Sequence, residues 1–386
     1  MIRNNKIQVI VHCMEYEKRQ KIFEGLGYIK YKLPMINSYV LEVDEAGLEA
    51  IKAMEGSLNI EYDTHITAQM HRVNKIIESD WAHERGYTGK GVGVAIVDTG
   101  IALHKDFIEG GNRVIGFVDF VNHRTEPYDD NGHGTHVAGI IGGNGFSSKG
   151  RYKGVAPECN LIGVKVLDHR GDGNISDVLA GLQWIMDNRK RYNIRIVNIS
   201  VGTSSKENLD ENSLLVQGVD AVWDNGMVVV VAAGNNGPGP MSISTPGISR
   251  KVITVGSSDD NVAVEIFGNT KSKDYSGRGP TPFCIKKPDI VAPGSNIISC
   301  NISRYSLKTK ELSGSAFDNS PMMYTVKSGT SMATPVVSGA IALLLSKYPN
   351  MSNKDVKLKL RSSAVDLGQH WEKQGWGLLN VRRLLE

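Results

Sequence analysis

The sequence predicts a doubly wound α/β domain with a mainly parallel central sheet, preceded by a small α+β domain of ferredoxin-like order. Three observations predict it. From about residue 88, short continuous apolar runs alternate with stretches of helical spacing, the pattern of a parallel sheet covered on both faces. Residues 7–63 instead read β-α-β-β-α-β over a short length, the split βαβ order. Forty-two glycines among 386 residues point to many tight turns and close backbone approaches.

In the first unit, Ile7 to Val11 is a short apolar strand and Glu15 to Leu26 is helical, ended by Gly25-Leu26-Gly27. Tyr28 to Leu33 and Tyr39 to Val43 read as strands separated around Pro34. A second helix covers about Ala46 to Met54, and Leu58 to Tyr62 makes the last strand. A polar stretch, Asp63 to Lys75, follows. In the larger unit the expected strands are Val92–Val97, Leu161–Val166, Ile194–Ile199, Met227–Ala232 and Val252–Val255. Between two of them, Ser176 to Tyr192 carries Val178, Leu179, Leu182, Ile185 and Met186 at helical spacing behind a serine cap. Ser303 to Asn319 is polar and reads as a long surface loop.

Composition excludes several classes. The net charge of +3 is spread along the chain. The basic clusters Lys286-Lys287 and Arg189-Lys190-Arg191 are short and lack interleaved aromatics, which argues against nucleic acid. No stretch reads as the ~18 apolar residues of a membrane helix. Met1-Ile-Arg-Asn-Asn-Lys-Ile lacks the apolar core of a secretory signal, so the expected location is the cytoplasm. Cys13, Cys159, Cys284 and Cys300 are scattered without ligand spacing and read as reduced thiols.

Reactive groups of an open parallel sheet collect at the carboxyl ends of its strands. Asp98 ends one apolar run and Asn235 follows another. Either alone is ordinarily a turn or cap residue. His133 and His136 stand three apart in Asp130-Asn-Gly-His-Gly-Thr-His, at the entrance to a small-residue helix. That spacing can suit a metal, but no nearby Cys or carboxylate supplies a third ligand, so one histidine is read as functional and His136 as structural. In Lys327-Ser-Gly-Thr-Ser-Met-Ala-Thr-Pro335, Gly329 permits a tight turn and Ser331 falls where an apolar helix begins. Unpaired N–H groups there favour the negative oxygen that develops when a hydroxyl attacks a carbonyl.

Together, Asp98-Thr-Gly, His133-Gly-Thr-His, Ala233-Gly-Asn235 and Gly329-Thr-Ser-Met-Ala-Thr-Pro335 resemble the four signature blocks of the subtilisin family, in that family's order. Gly154-Val-Ala-Pro157, Ala292-Pro-Gly294 and Gly375-Trp-Gly-Leu-Leu-Asn380 extend the resemblance over nearly all of residues 68–386. Ser276-Gly-Arg-Gly-Pro280 and Lys287-Pro-Asp289 resemble the intracellular AprX-type branch. The resemblance implies a subtilisin-like catalytic domain at 68–386 and an N-terminal propeptide domain, chaperone and inhibitor, at 1–67. It implies a serine endopeptidase with Ser331 as nucleophile, His133 as general base and acid, and Asp98 orienting the imidazole. Asn235 and the Ser331 backbone N–H would hold the oxyanion. Gly171-Asp172-Gly173 and Ser200-Val201-Gly202 would pair with an extended peptide substrate, with broad specificity and an apolar or mid-sized P1 side chain. Thr330 and Met332 are read as structural, Met332 being prone to oxidation. Self-cleavage is expected between about Asp63 and Met70, and Ala68-Gln69 resembles a mature start.

No cofactor is expected for the chemistry. The resemblance implies a structural calcium ligand at Asp106, yet the loop from Asn144 to Lys153 has no carboxylate and is longer than usual, which argues against the site. Asp259 and Asp260 read as a solvated turn rather than a second ion site. The rival readings are weaker. A catalytically dead relative would ordinarily lack one of the three residues. Gly89-Lys-Gly-Val-Gly93 precedes its strand, whereas a dinucleotide fingerprint follows one.

Overall fold

The structure is a computed structural model of the 386-residue chain and describes residues 7–13, 16–34, 37–54, 59–62, 70–203, 212–261, 264–266, 269–271, 274–302 and 323–386. The expected cleavage segment (63–69) and the expected surface loop (303–319) lie outside these residues. The chain divides into two compact units, Met1–Thr67 and Ala68–Glu386.

In the first unit, β1 (Ile7–His12), α1 (Tyr16–Leu26), β2 (Tyr28–Leu33), β3 (Ser38–Val43), α2 (Glu45–Lys52) and β4 (Asn59–Tyr62) follow the expected order. The strands form an antiparallel sheet ordered β2-β3-β1-β4. Strand alternation and the two helices close one core of Val9, Val11, Phe23, Leu41, Leu48 and Ile51. Asp44 begins α2 by accepting the Gly47 N–H at 2.8 Å, an ordinary aspartate cap.

The second unit carries a seven-stranded parallel sheet: β5 (Gly93–Asp98), β6 (Val114–Asp119), β7 (Asn160–Lys165), β8 (Ile194–Ile199), β9 (Val228–Ala232), β10 (Ile253–Ser257) and, after the small β11–β12 hairpin (Val264–Ile266, Asn269–Lys271), β13 (Ile290–Ala292). Their order is β13-β10-β9-β8-β5-β7-β6, every pair parallel. Chain order reverses around β5, so a crevice opens at the carboxyl ends of β5, β7 and β8. A further hairpin joins β14 (Ile297–Cys300) to β15 (Tyr324–Lys327).

Every residue of β5, β9 and β10 is buried, which requires cover on both faces. After the short α3 (Met70–Ile76), α4 (Asp80–His83) and α5 (Lys105–Ile108), the covering helices are α6 (His133–Gly142), α7 (Ile175–Asn188), α8 (Leu214–Asp224) and α9 (Thr330–Lys347). α6 packs on α9, and α7 on α8. The start of α7 corrects the serine-cap expectation: Asn174 is the cap position, and Ser176 lies inside the helix.

α9 also revises the reading that no stretch suits a membrane helix. It is long and apolar enough to cross a bilayer, but Thr330 to Leu345 are all buried inside this unit. A helix apolar on all sides belongs either in lipid or at the centre of a large core, and its packing on β8, β9, β10 and α6 assigns it to the core.

Candidate active site

Asp98 is the last residue of β5 and fully buried. Both its carboxylate oxygens meet His133 Nδ1, at 2.7 and 2.9 Å, and one also accepts the Thr99 N–H at 2.8 Å. This pairing makes Nδ1 the protonated nitrogen of a neutral ring and leaves Nε2 as the basic one. His133 opens α6, and its place is fixed by backbone contact: a Cβ on Gly134 would lie 2.1 Å from the Gly100 carbonyl oxygen. Asp129 folds the approach to that helix. Its carboxylate accepts the N–H groups of Asn131, Gly132 and Thr135 and the hydroxyls of Thr99 and Thr135 at 2.7–3.0 Å. The fully buried Lys165 ties the same turns together, donating to Thr99 O, Leu167 O and Asp130 Oδ1, each at 2.7 Å. Sequence reading missed Asp129 and Lys165. The acidic Asp129-Asp130 pair beside His133 was the available signal.

Ser331 stands in the first turn of α9, where N–H groups have no acceptor within the helix. Its hydroxyl donates to the Ser200 carbonyl at 2.7 Å. Asn235 lies in the same region, since a Cβ on Gly329 would be 3.2 Å from its Nδ2. The other end of that amide is occupied: Oδ1 accepts the Thr330 N–H at 2.9 Å and the Thr330 hydroxyl at 3.1 Å. The Thr330 hydroxyl in turn accepts the Gly234 N–H at 3.2 Å. Thr330 therefore fixes which way round the Asn235 amide stands, with Oδ1 held by Thr330 and Nδ2 on the Gly329 side. That role was not legible from the sequence, where a threonine beside a serine suggests only a cap. Met332 is buried.

The two expected substrate segments come together. Gly171, Asp172, Gly173, Val201 and Gly202 line one cleft of about 350 Å³, walled also by Leu167, Ile175, Val178, Leu215 and Pro246. Ser200 faces Ser331 through the contact already given. Two of these glycines are required by the chain's own packing. The space of a Cβ on Gly173 is taken by Val166 O at 2.3 Å, and on Gly202 by Thr245 O at 2.7 Å. Their close approach is to the protein's own backbone. Asp168 shapes this wall by accepting the Arg170 and Asp172 N–H groups at 2.8 and 3.0 Å. Those bonds, Asp172's first, hold its carboxyl below the usual range.

His136 is fully buried, with Nε2 between the carbonyls of Ile297 (3.1 Å) and Thr325 (3.2 Å), pinning the β14–β15 hairpin. Burial, helped by Lys327 and His133, pushes its pKa down to about 3. The unfolded chain takes up that proton near pH 6.5, so stability present above about 6.5 is lost as pH falls towards 3. In His136→Gln the acid limb of a urea-unfolding series should be shallower by about 1.4 kcal/mol per pH unit. Equal slopes would show that the imidazole is not held neutral.

The acids at both candidate ion sites are engaged by the chain itself, and one expectation, the solvated turn, is corrected. Asp106 does lie behind the catalytic strand, but its carboxylate is already engaged, accepting the Ser147 N–H at 2.9 Å and the Tyr324 hydroxyl at 2.8 Å. Asp259 and Asp260 are not a solvated turn. Asp259 accepts the Gly294 and Ser295 N–H groups at 2.7 and 3.0 Å, and the buried Asp260 meets the Ser276 N–H at 3.1 Å and Lys373 Nζ at 3.3 Å.

Residues 89–377 match the family model described as Peptidase_S8, the subtilase family. This chain belongs to the subtilase family. It is 39% identical over 366 residues to serine protease AprX of Bacillus subtilis (strain 168), covering 92% of this chain and 78% of that one. Subtilisin Savinase of Lederbergia lenta is 36% identical over 306 residues, covering 79% and 94% respectively. Among solved structures, a cold adapted subtilisin-like serine proteinase matches with a TM-score of 0.57 and 30% identity, over 76% of this chain and 90% of that one. The subtilase described here is accordingly a serine endopeptidase, a hydrolase of polypeptides that works without a cofactor in its chemistry.

Proposed function

We propose that Ser331, His133 and Asp98 carry out peptide hydrolysis as nucleophile, proton carrier and orienting carboxylate. The observation that supports this most directly is the buried Asp98 clamp on His133 Nδ1, at the strand end that the family's chemistry requires. In this structure Ser331 Oγ donates to the Ser200 carbonyl, a bond it must leave to give its proton to a base. It attacks the scissile carbonyl as His133 takes its proton, and the proton then passes to the leaving amine. The Asn235 amide and the Ser331 N–H stabilise the tetrahedral oxygen, and water repeats the sequence on the acyl-enzyme. Labelling with a fluorophosphonate tests this: wild type should react at Ser331 and Ser331→Ala should not, with chelator making no difference. Labelling elsewhere would end the assignment.

The substrate lies as an extended strand between Gly171–Gly173 and Ser200–Gly202, its side chains entering the apolar cleft. The walls of Leu167, Val178, Val201 and Leu215 favour apolar or mid-sized side chains over charged ones. Because Asp168 holds only the rim, Asp168→Ala should raise KM about 3–10-fold while kcat changes little. A fall in kcat with KM unchanged would instead tie Asp168 to the chemistry. The Met1–Thr67 unit is the propeptide, folded on its own core and released by self-cleavage within about 63–70.

A further inference from the structure

Relatives' calcium would be expected at Asp106, and the residues present do not fit it. Calcium takes six to eight oxygen ligands with free lone pairs. Asp106 is fully buried, and its two oxygens are bonded to Ser147 N–H and Tyr324 hydroxyl, with Cys300 Sγ a further 3.8 Å contact. The Asn144 side chain is spent too, its Oδ1 on the Phe146 N–H at 2.9 Å and its Nδ2 on Glu109 O at 2.9 Å.

The carbonyls that line this pocket face a cation of the chain's own. The Arg113 guanidinium donates to Asp106 O, to Gly142 O at 2.5 Å and to Cys159 O at 3.2 Å. It thus joins the end of α6 to α5 and to the turn before β7. A guanidinium carries its charge in a planar fork of five N–H groups, so one side chain can collect several carbonyls.

His104, Asp106 and Cys300 bring ligand atoms within 4.8 Å of one another, a spacing that could suit a softer metal. The histidine is fully used, however. Its Nδ1 accepts the Asp106 N–H at 3.1 Å and its Nε2 donates to Met323 O at 2.9 Å. A neutral imidazole has a single acceptor nitrogen, and here a backbone amide occupies it.

We propose that Arg113 and Tyr324 stand in for the structural cation, so that the Asp106 region of this subtilase is held together by its own side chains and takes no calcium. Arg113 supplies the positive charge and the donors for the carbonyls, and Tyr324 caps the carboxylate. Tyr324 also packs edge-on against His104 and Tyr152, with ring centroids 5.6 and 4.9 Å away. Since it opens β15, whose last residue is four before Ser331, the same cap anchors the approach to the nucleophile.

The test is thermal unfolding of the full-length Ser331→Ala chain, chosen so that self-digestion does not intervene, in chelator and in excess calcium chloride. The parent should show no calcium-induced rise in Tm that depends on Asp106. Tyr324→Phe should lower Tm by about 2–4 °C and Arg113→Met by at least as much, equally with and without calcium. If Arg113→Met does not fold, Tyr324→Phe and the parent's calcium response still decide. A calcium-induced rise in Tm that Asp106→Asn abolishes overturns the proposal. So does an unchanged Tm in both Tyr324→Phe and Arg113→Met. A rise that persists in Asp106→Asn places the ion elsewhere and supports it.

Discussion

Replacing Ser331 with alanine should lower peptidase turnover by about 10⁶-fold and leave the purified chain at its full length. The scale is borrowed from subtilisin itself, where loss of the serine or the histidine alone costs about as much as loss of all three. The same reasoning makes His133→Ala as damaging as Ser331→Ala, and the double variant no worse than either. The cause is cooperative: a hydroxyl is a poor nucleophile near neutral pH without a base, and a base has nothing to activate without the hydroxyl. The geometry motivates this expectation. Asp98 fixes the imidazole from one side, and Ser331 sits at the tip of a helix whose core packing allows it little translation. Intact-mass measurement reads self-processing separately. Wild type should shorten at a bond within about 63–70, whereas Ser331→Ala should not. If Ser331→Ala is cut normally in a protease-free preparation, self-processing is refuted. If it hydrolyses peptides at the wild-type rate, the nucleophile itself is misassigned.

What the sequence made legible follows from periodicity and burial. β5, β7, β8, β9 and β10 are short, continuous apolar runs and could be read within a residue or two. β6 was missed because its Val-Ile-Gly-Phe-Val-Asp run is interrupted by Gly116, and Ile115 faces outward at the sheet edge. β13 was missed because it is three residues long and follows Lys287-Pro-Asp289, which reads as a turn. At the proposed site, Asp98, His133, Asn235 and Ser331 were legible because each lies in a short local motif that can be read without the fold. The residues behind them were not. Thr330, Asp129 and Lys165 each hydrogen-bond a partner distant in sequence, at separations of 95 residues to Asn235, 30 to Thr99 and 66 to Thr99 respectively. Local pattern carries no such information. The Tyr324 contact is the extreme case, because its phenol reaches the Asp106 carboxylate across 218 residues of chain.

Asn235→Ala should lower kcat by about 10²–10³-fold with KM nearly unchanged, the loss reported for the equivalent donor in subtilisin and adopted here as the scale. An amide that serves the oxyanion contributes most once the carbonyl oxygen carries negative charge, so its removal raises the barrier and spares ground-state binding. The Thr330 contacts sharpen this into a second expectation. Since the Thr330 hydroxyl holds Asn235 Oδ1 at 3.1 Å, Thr330→Val should relax the amide and cost kcat by a smaller factor, about tenfold. In the Asn235→Ala background the same change should cost almost nothing, because the hydroxyl then has no amide to orient. Equal and additive losses from the two substitutions would mean that Thr330 acts independently of Asn235. A rise in KM alone from Asn235→Ala would mean that the amide binds substrate and does not stabilise the transition state.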